Sequence, residues 1–142
     1  MEERIVPRKY VLCEDGFETV IADGRTVGFQ VKLRIPEYRG LPLALVGGVK
    51  IAVDGVEYPP ESMTFTSEGY TFTREEMETV TDVYWLVDQP LVVTVRTDAP
   101  PAPGAHKVAA YAAVRISYMP VELYAGEEKT LTLDEGRECD GD

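Results

Sequence analysis

Histidine is almost missing: the 142-residue chain has one, His106. A single imidazole cannot build the two- and three-histidine clusters on which most zinc, iron and cupin-type sites rest. Cysteine is nearly as scarce. Cys13 and Cys139 stand near opposite ends of the chain and form neither a Cys-x-x-Cys nor a zinc spacing. Either a staple across the domain or two unrelated reduced thiols would fit them. No apolar run approaches the roughly 20 residues that span a bilayer. The opening MEERIVPRKYVL has no apolar signal-peptide core, and a cytoplasmic location is the expectation. Positive charge is short as well. Lys and Arg number 14 against 25 Asp and Glu, a net charge of −11 that repels nucleic acids and anionic membranes. There is no Walker, nucleophile-elbow or dinucleotide fingerprint, and Gly47-Gly48 is too short to cradle a phosphate. Carboxylates abound, but Glu75-Glu76-Met77-Glu78 reads as a solvated helix face rather than a glycosidase pair.

What the sequence has is alternation. Phe29, Val31, Leu33 and Ile35 alternate with polar residues, and Val49, Ile51 and Val53 repeat the pattern up to the hairpin signal Asp54-Gly55. Asp23-Gly24 and Ser67-Glu68-Gly69 mark two further turns. Val83–Val87, Leu91–Val95 and a long run from His106 to Tyr118 read as strands. Thr73-Arg-Glu-Glu76 has the form of a capping box and opens one short helix near 74–80. Asp98-Ala-Pro-Pro-Ala-Pro-Gly104 is a loop, because proline cannot donate to a ladder. The expected fold is all-β: an antiparallel, jelly-roll-like β-sandwich of about eight strands filling 1–133 as a single domain. Residues 134–142 form a short acidic tail, expected to be disordered.

Two features exceed what a lone sandwich needs. The stretch EYRGLPLALVGG, positions 37–48, puts an apolar run where a proline and three glycines disfavour an interior strand. It would serve as a docking loop, with Leu41, Leu43 and Leu45 buried by a partner, or it would tuck over the domain's own core. The 106–118 run is apolar on both faces, with Val108, Ala110 and Ala112 on one and Ala109, Tyr111 and Ala113 on the other. His106, at a strand start beside Lys107, is a weak candidate general base against the plainer reading of a backbone-bonded histidine. Trp85, the one tryptophan, fits core packing between Val83 and Val87. Tyr38, Tyr84, Tyr111 and Tyr118 are candidates for ring stacking or interface contact.

In order and spacing, GFQVKLRI-P-EYRGLPLALV, VKIAVDGVEYPPESMTF, GYTFTREEMETVTDVYW and PGAHKVAAYAAVRISYMP resemble the β subunit of bacterial C-glycoside deglycosidases. The resemblance runs from about Gly28 to Pro120. It implies a two-component enzyme, in which a larger α subunit similar to sugar-isomerase TIM barrels holds a divalent metal, expected to be Mn2+, with the acid–base residues. The substrate class it implies is 3-oxo-C-glucosides of aromatic, flavonoid-type aglycones. A ketone at C3 acidifies the C2 proton, so a base and a metal can promote elimination of the aglycone, whereas direct hydrolysis of a C–C bond has no comparable leaving group. This chain would then be the accessory, non-catalytic subunit, binding no metal itself. The resemblance assigns Tyr38, Arg39, Gly40, Leu41, Pro42 and Leu43, with His106 and Tyr118, Met119 and Pro120, to partner contact or the pocket mouth rather than to proton transfer. The alternative from another class is a carbohydrate-binding or Ig-like interaction module with no enzymatic role.

Overall fold

In the computed structural model, the described residues are 4–7, 11–34, 41–86, 89–115 and 122–135. Twelve strands make two facing five-stranded sheets and one small ribbon. They are β1 (Arg4–Pro7), β2 (Glu18–Ala22), β3 (Arg25–Leu33), β4 (Leu41–Pro42), β5 (Val46–Val53), β6 (Val56–Glu57), β7 (Met63–Ser67), β8 (Tyr70–Thr73), β9 (Tyr84–Trp85), β10 (Leu91–Arg96), β11 (Gly104–Arg115) and β12 (Glu122–Leu133). The first sheet has the order β1-β12-β11-β5-β6 and the second β2-β3-β10-β7-β8; β4 and β9 pair separately. Among the described residues, every pairing between these strands is antiparallel except β1 with β12. This is the expected all-β sandwich, with its one helix.

Local chemistry explains the hairpins. Asp23-Gly24, Asp54-Gly55 and Glu68-Gly69 each put two consecutive residues at positive φ, from 50° to 83°. That is the two-residue turn whose twist matches the strands it joins. The helix α1 (Arg74–Met77) is shorter than the expected 74–80, but its capping box is complete. Glu76 N–H donates to the Thr73 hydroxyl at 3.2 Å and Thr73 N–H donates to the Glu76 carboxylate at 2.9 Å. Val80 N–H still bonds back to the Met77 carbonyl before the β-favouring residues straighten the chain.

Alternation builds the core. Register aligns Phe65, Val93 and Val31 in one row across the second sheet and Met63, Val95 and Phe29 in the next. All six are at most 2% exposed. Opposite them lie Ile51, Val53, Val108, Ala110 and Ala112. Each large side chain buried this way is worth about 1.5–3 kcal/mol. Gly28 is required by close approach, because a Cβ there would sit 1.9 Å from the Val95 carbonyl oxygen.

Several expectations about particular strands need correction. The strand foreseen from Val49 starts at Val46, taking Gly47 and Gly48 into β5 with an irregularity opposite Ala113 and Val114. Of Val83–Val87, Tyr84–Trp85 is strand among the described residues, and Val87 lies outside them. The long run starts at Gly104 and its described part ends at Arg115. Its outer face is less open than alternation suggests: Ala109 and Ala113 are 8% and 7% exposed, while Tyr111 is 42% exposed. The Tyr111 ring lies over Gly126 of β12, where a Cβ would come within 2.1 Å of it. β12 itself carries Glu127, which accepts a hydrogen bond from Leu12 N–H at 2.7 Å and pairs with Lys129 at 3.5 Å.

Candidate functional site

Of the described residues that the sequence singled out, Leu43 and His106 lie toward opposite ends of the first sheet. Val46 at the start of β5 pairs with Val114 near the end of β11, whereas Val53 pairs with Val108. Eight residues of β11 separate His106 from Val114, roughly 26 Å of extended chain. Of the segments expected to form an interface, the described backbone of 41–43 lies at the Val46 end. Tyr38, Arg39, Gly40, Tyr118, Met119 and Pro120 lie outside the described residues, as do Cys139 and the tail beyond 135.

At that end, Pro42 is the last residue of β4, which pairs Leu41 with Trp85 and Pro42 with Tyr84. Leu43–Leu45 then winds into a single 3-10 turn, closed by Val46 N–H donating to the Leu43 carbonyl. Two cross-chain bonds pin the turn inward: Leu43 N–H to the Val83 carbonyl at 3.0 Å and Ala44 N–H to the Val80 carbonyl at 2.8 Å. Leu43 is consequently fully buried in the chain's own core, Val46 is 5% exposed, and Leu45 packs half-buried against that core. This corrects the expectation that Leu43 waits for a partner; the proline-bent turn folds it under instead.

Trp85 is also fully buried, its indole N–H donating to the Leu33 carbonyl at 3.3 Å. Its neighbour Tyr84 faces outward at 40% exposure. The Tyr84 backbone is held on both sides, its N–H by Glu68 Oε2 at 2.9 Å and its carbonyl by the Ser67 hydroxyl at 2.6 Å. Tyr70, in the same β7–β8 hairpin as Ser67, is 60% exposed. The sequence did not single out Tyr70; its position directly after the Glu68-Gly69 turn was the available signal. The Val46 end therefore presents outward-facing tyrosines on a backbone that is fixed from within.

His106 lies elsewhere and is fully engaged. Its Nδ1 meets Asp54 Oδ2 and its Nε2 meets the Ala102 carbonyl, each at 2.5 Å. Asp54 is held in turn, with Oδ1 accepting from Lys107 N–H at 2.9 Å. The Asp54 bond, then the Ala102 bond, raise the His106 pKa above the ordinary 6.5, while the His106 bond, then the Lys107 N–H bond, lower Asp54 below 3.8. A ring with both nitrogens on acceptors holds its proton rather than taking one from substrate. His106 thus departs from the weak catalytic assignment, and it lies toward the other end of β11 from the described 41–43 segment. Cys13 is a free, buried thiol whose pKa is pushed up by burial, a chemically quiet setting.

Among the described residues, no three of His, Cys, Asp and Glu gather as a metal would require. A cleft of about 340 Å3 opens beside β5, lined by Val49, Lys50, Ile51, Glu57, Tyr58, Pro59 and Pro60. One lysine and one glutamate among apolar groups make no acid–base constellation there. No helix of the described residues is long and apolar enough to cross a membrane.

The described fold is a β-sandwich with Tyr70 and Tyr84 exposed and with both ring nitrogens of His106 engaged. A family model described as C-glycoside deglycosidase beta subunit matches residues 8–118. The chain belongs to that family. It is 30% identical over 119 residues to a C-glycoside deglycosidase beta subunit of Eubacterium cellulosolvens, covering 83% of this chain and 81% of that one. It is 29% identical over 114 residues to a 3'-dehydrocarminate deglycosidase beta subunit of a Microbacterium species, covering 80% and 82%. Among solved structures, AggA, the major subunit of an Escherichia coli adherence fimbria, aligns over 84% of this chain and 89% of its own. Its TM-score of 0.27 and identity of 15% carry no argument.

Proposed function

We propose that this chain is the accessory β subunit of a heteromeric C-glycoside deglycosidase acting on 3-oxo-C-glucosides of aromatic aglycones. The family match over residues 8–118 carries the reading. The name of the Microbacterium relative, which specifies a 3'-dehydro glycoside, supports the oxidised-sugar part of it. The chemistry divides naturally between two chains. Elimination across C1–C2 needs a base at the C2 proton, positive charge near the C3 oxygen where the enolate forms, and an acid that protonates the aglycone carbon as the C–C bond breaks. In this chain the imidazole is committed to Asp54 and Ala102, and the described donor set does not suit a metal. The base and a divalent metal, Mn2+ by family resemblance, belong to an α subunit with a sugar-isomerase-like barrel.

The role left to this chain is to dock on that subunit and shape the mouth of its pocket. Tyr38, Arg39, Gly40, Leu41 and Pro42, with Tyr118, Met119 and Pro120, form the contact, and outward-facing Tyr84 belongs to its rim. Leu43 supports the loop from beneath. Aromatic anchors over a rigid backbone are the residues that dominate association energies, since little side-chain freedom is lost on docking. Co-expression with an α subunit of the same enzyme family tests the assembly. The two chains are expected to co-elute in size-exclusion chromatography, and separate elution at micromolar concentration would refute the subunit reading.

A further inference from the structure

His106 joins three parts of the fold that share no strand pairing. Like Val108 and Ala110, it lies on the inner-facing register of β11, but at the rim of the sandwich, where its side chain is 16% exposed. Its ring stands edge-on to Phe17, in the segment before β2, with centroids 6.4 Å apart. One nitrogen meets the Asp54 carboxylate in the β5–β6 turn and the other meets the Ala102 carbonyl in the proline-rich segment 98–103. Both partners are acceptors. A neutral imidazole has one N–H and can satisfy one of them; only the imidazolium donates to both. Prolines at 100, 101 and 103 leave that segment few amides with which to hold itself, so the Ala102 carbonyl is its natural anchor.

We infer that His106 is a proton-dependent clamp that fastens the 98–103 segment to the β5–β6 turn and releases it when the imidazolium deprotonates. The charged groups around it fit this role. Asp54 is the carboxylate facing it, fixed by Lys107 N–H and, through its own N–H, by the Lys107 carbonyl. The Lys107 ammonium is turned to Glu128 of β12 at 3.5 Å, and the residue opposite His106 on β12 is Leu131. Phe17 adds no charge, and the nearby Tyr58 hydroxyl has a pKa raised by burial, then by Asp54. His106 has a folded pKa above its ordinary 6.5, so its contribution is complete below 6.5 and fades as pH rises through the folded value. Asp54 has a folded pKa below 3.8, so its contribution is present above 3.8 and fades as pH falls through the folded value. The clamp is fully set from about 3.8 to 6.5 and opens on the alkaline side.

Because His106 is the one histidine, 15N-histidine labelling of the full chain gives a single imidazole to follow by NMR. Both ring nitrogens are expected to be protonated below a midpoint above 6.5, with the 15N order parameter of the Ala102 amide falling through the same midpoint. Asp54→Asn, which tolerates the left-handed turn position, should move both transitions to lower pH together. A neutral ring at pH 6.5, or an Ala102 order parameter indifferent to the His106 titration, would overturn the clamp. The wild-type titration decides the matter even if the variant fails to fold.

Discussion

Leu43→Asp unfolds the isolated chain. Leu43 has no exposed surface and its backbone is tied to Val83, so an aspartate cannot turn out to solvent without breaking the 3-10 turn. Losing the leucine costs about 2–5 kcal/mol in apolar burial and cavity. An unpaired carboxylate in that place adds several kcal/mol more, taken out as a raised pKa or as local unfolding. Together these approach the ~5–15 kcal/mol that holds a typical domain folded. Circular dichroism of the purified variant should show no cooperative thermal transition near that of the parent chain. A melting temperature within a few degrees of the parent's would mean that the turn at 43–45 is not part of the core.

Leu41→Asp has the opposite expected outcome: an intact fold that no longer assembles. The β4–β9 ribbon is a backbone pairing of Leu41 and Pro42 with Trp85 and Tyr84, so its register does not need a leucine. A carboxylate placed in a desolvated subunit contact costs at least ~2 kcal/mol, or about thirtyfold in dissociation constant. Melting of the variant alone and co-elution with the α subunit separate the two properties. Unfolding would make 41 a second core position; unimpaired co-elution would move the contact elsewhere on the chain.

The contrast between these neighbours shows what the sequence could and could not tell. Alternation in β3 and β5, the three turn glycines, the Thr73–Glu76 box and the burial of Trp85 were all legible, because each is decided within a few residues of itself. Leu43 was not. Whether an apolar run after a proline points into the core or away from it depends on Val80 and Val83, some forty residues later. β12 was missed for a similar reason. Gly126, Glu127 and Lys129 look hostile to a strand, yet the glycine makes room for the Tyr111 ring and the glutamate receives the Leu12 amide. β1 depends on a parallel pairing with that same strand, more than a hundred residues away. Of the candidate site, the absence of a histidine cluster was readable from composition alone, but the locking of His106 needed Asp54 and Ala102 brought to it by the fold.

The division of labour between two chains is the central claim, and one activity measurement tests it. A 3-oxo-C-glucoside of an aromatic aglycone, incubated with this chain alone, with the α subunit alone and with the co-purified complex, should release free aglycone at full rate only from the complex. The isolated chain should give none above the uncatalysed background, with or without added Mn2+. Aglycone release by this chain alone would contradict the account, because the reacting groups would then have to lie within it.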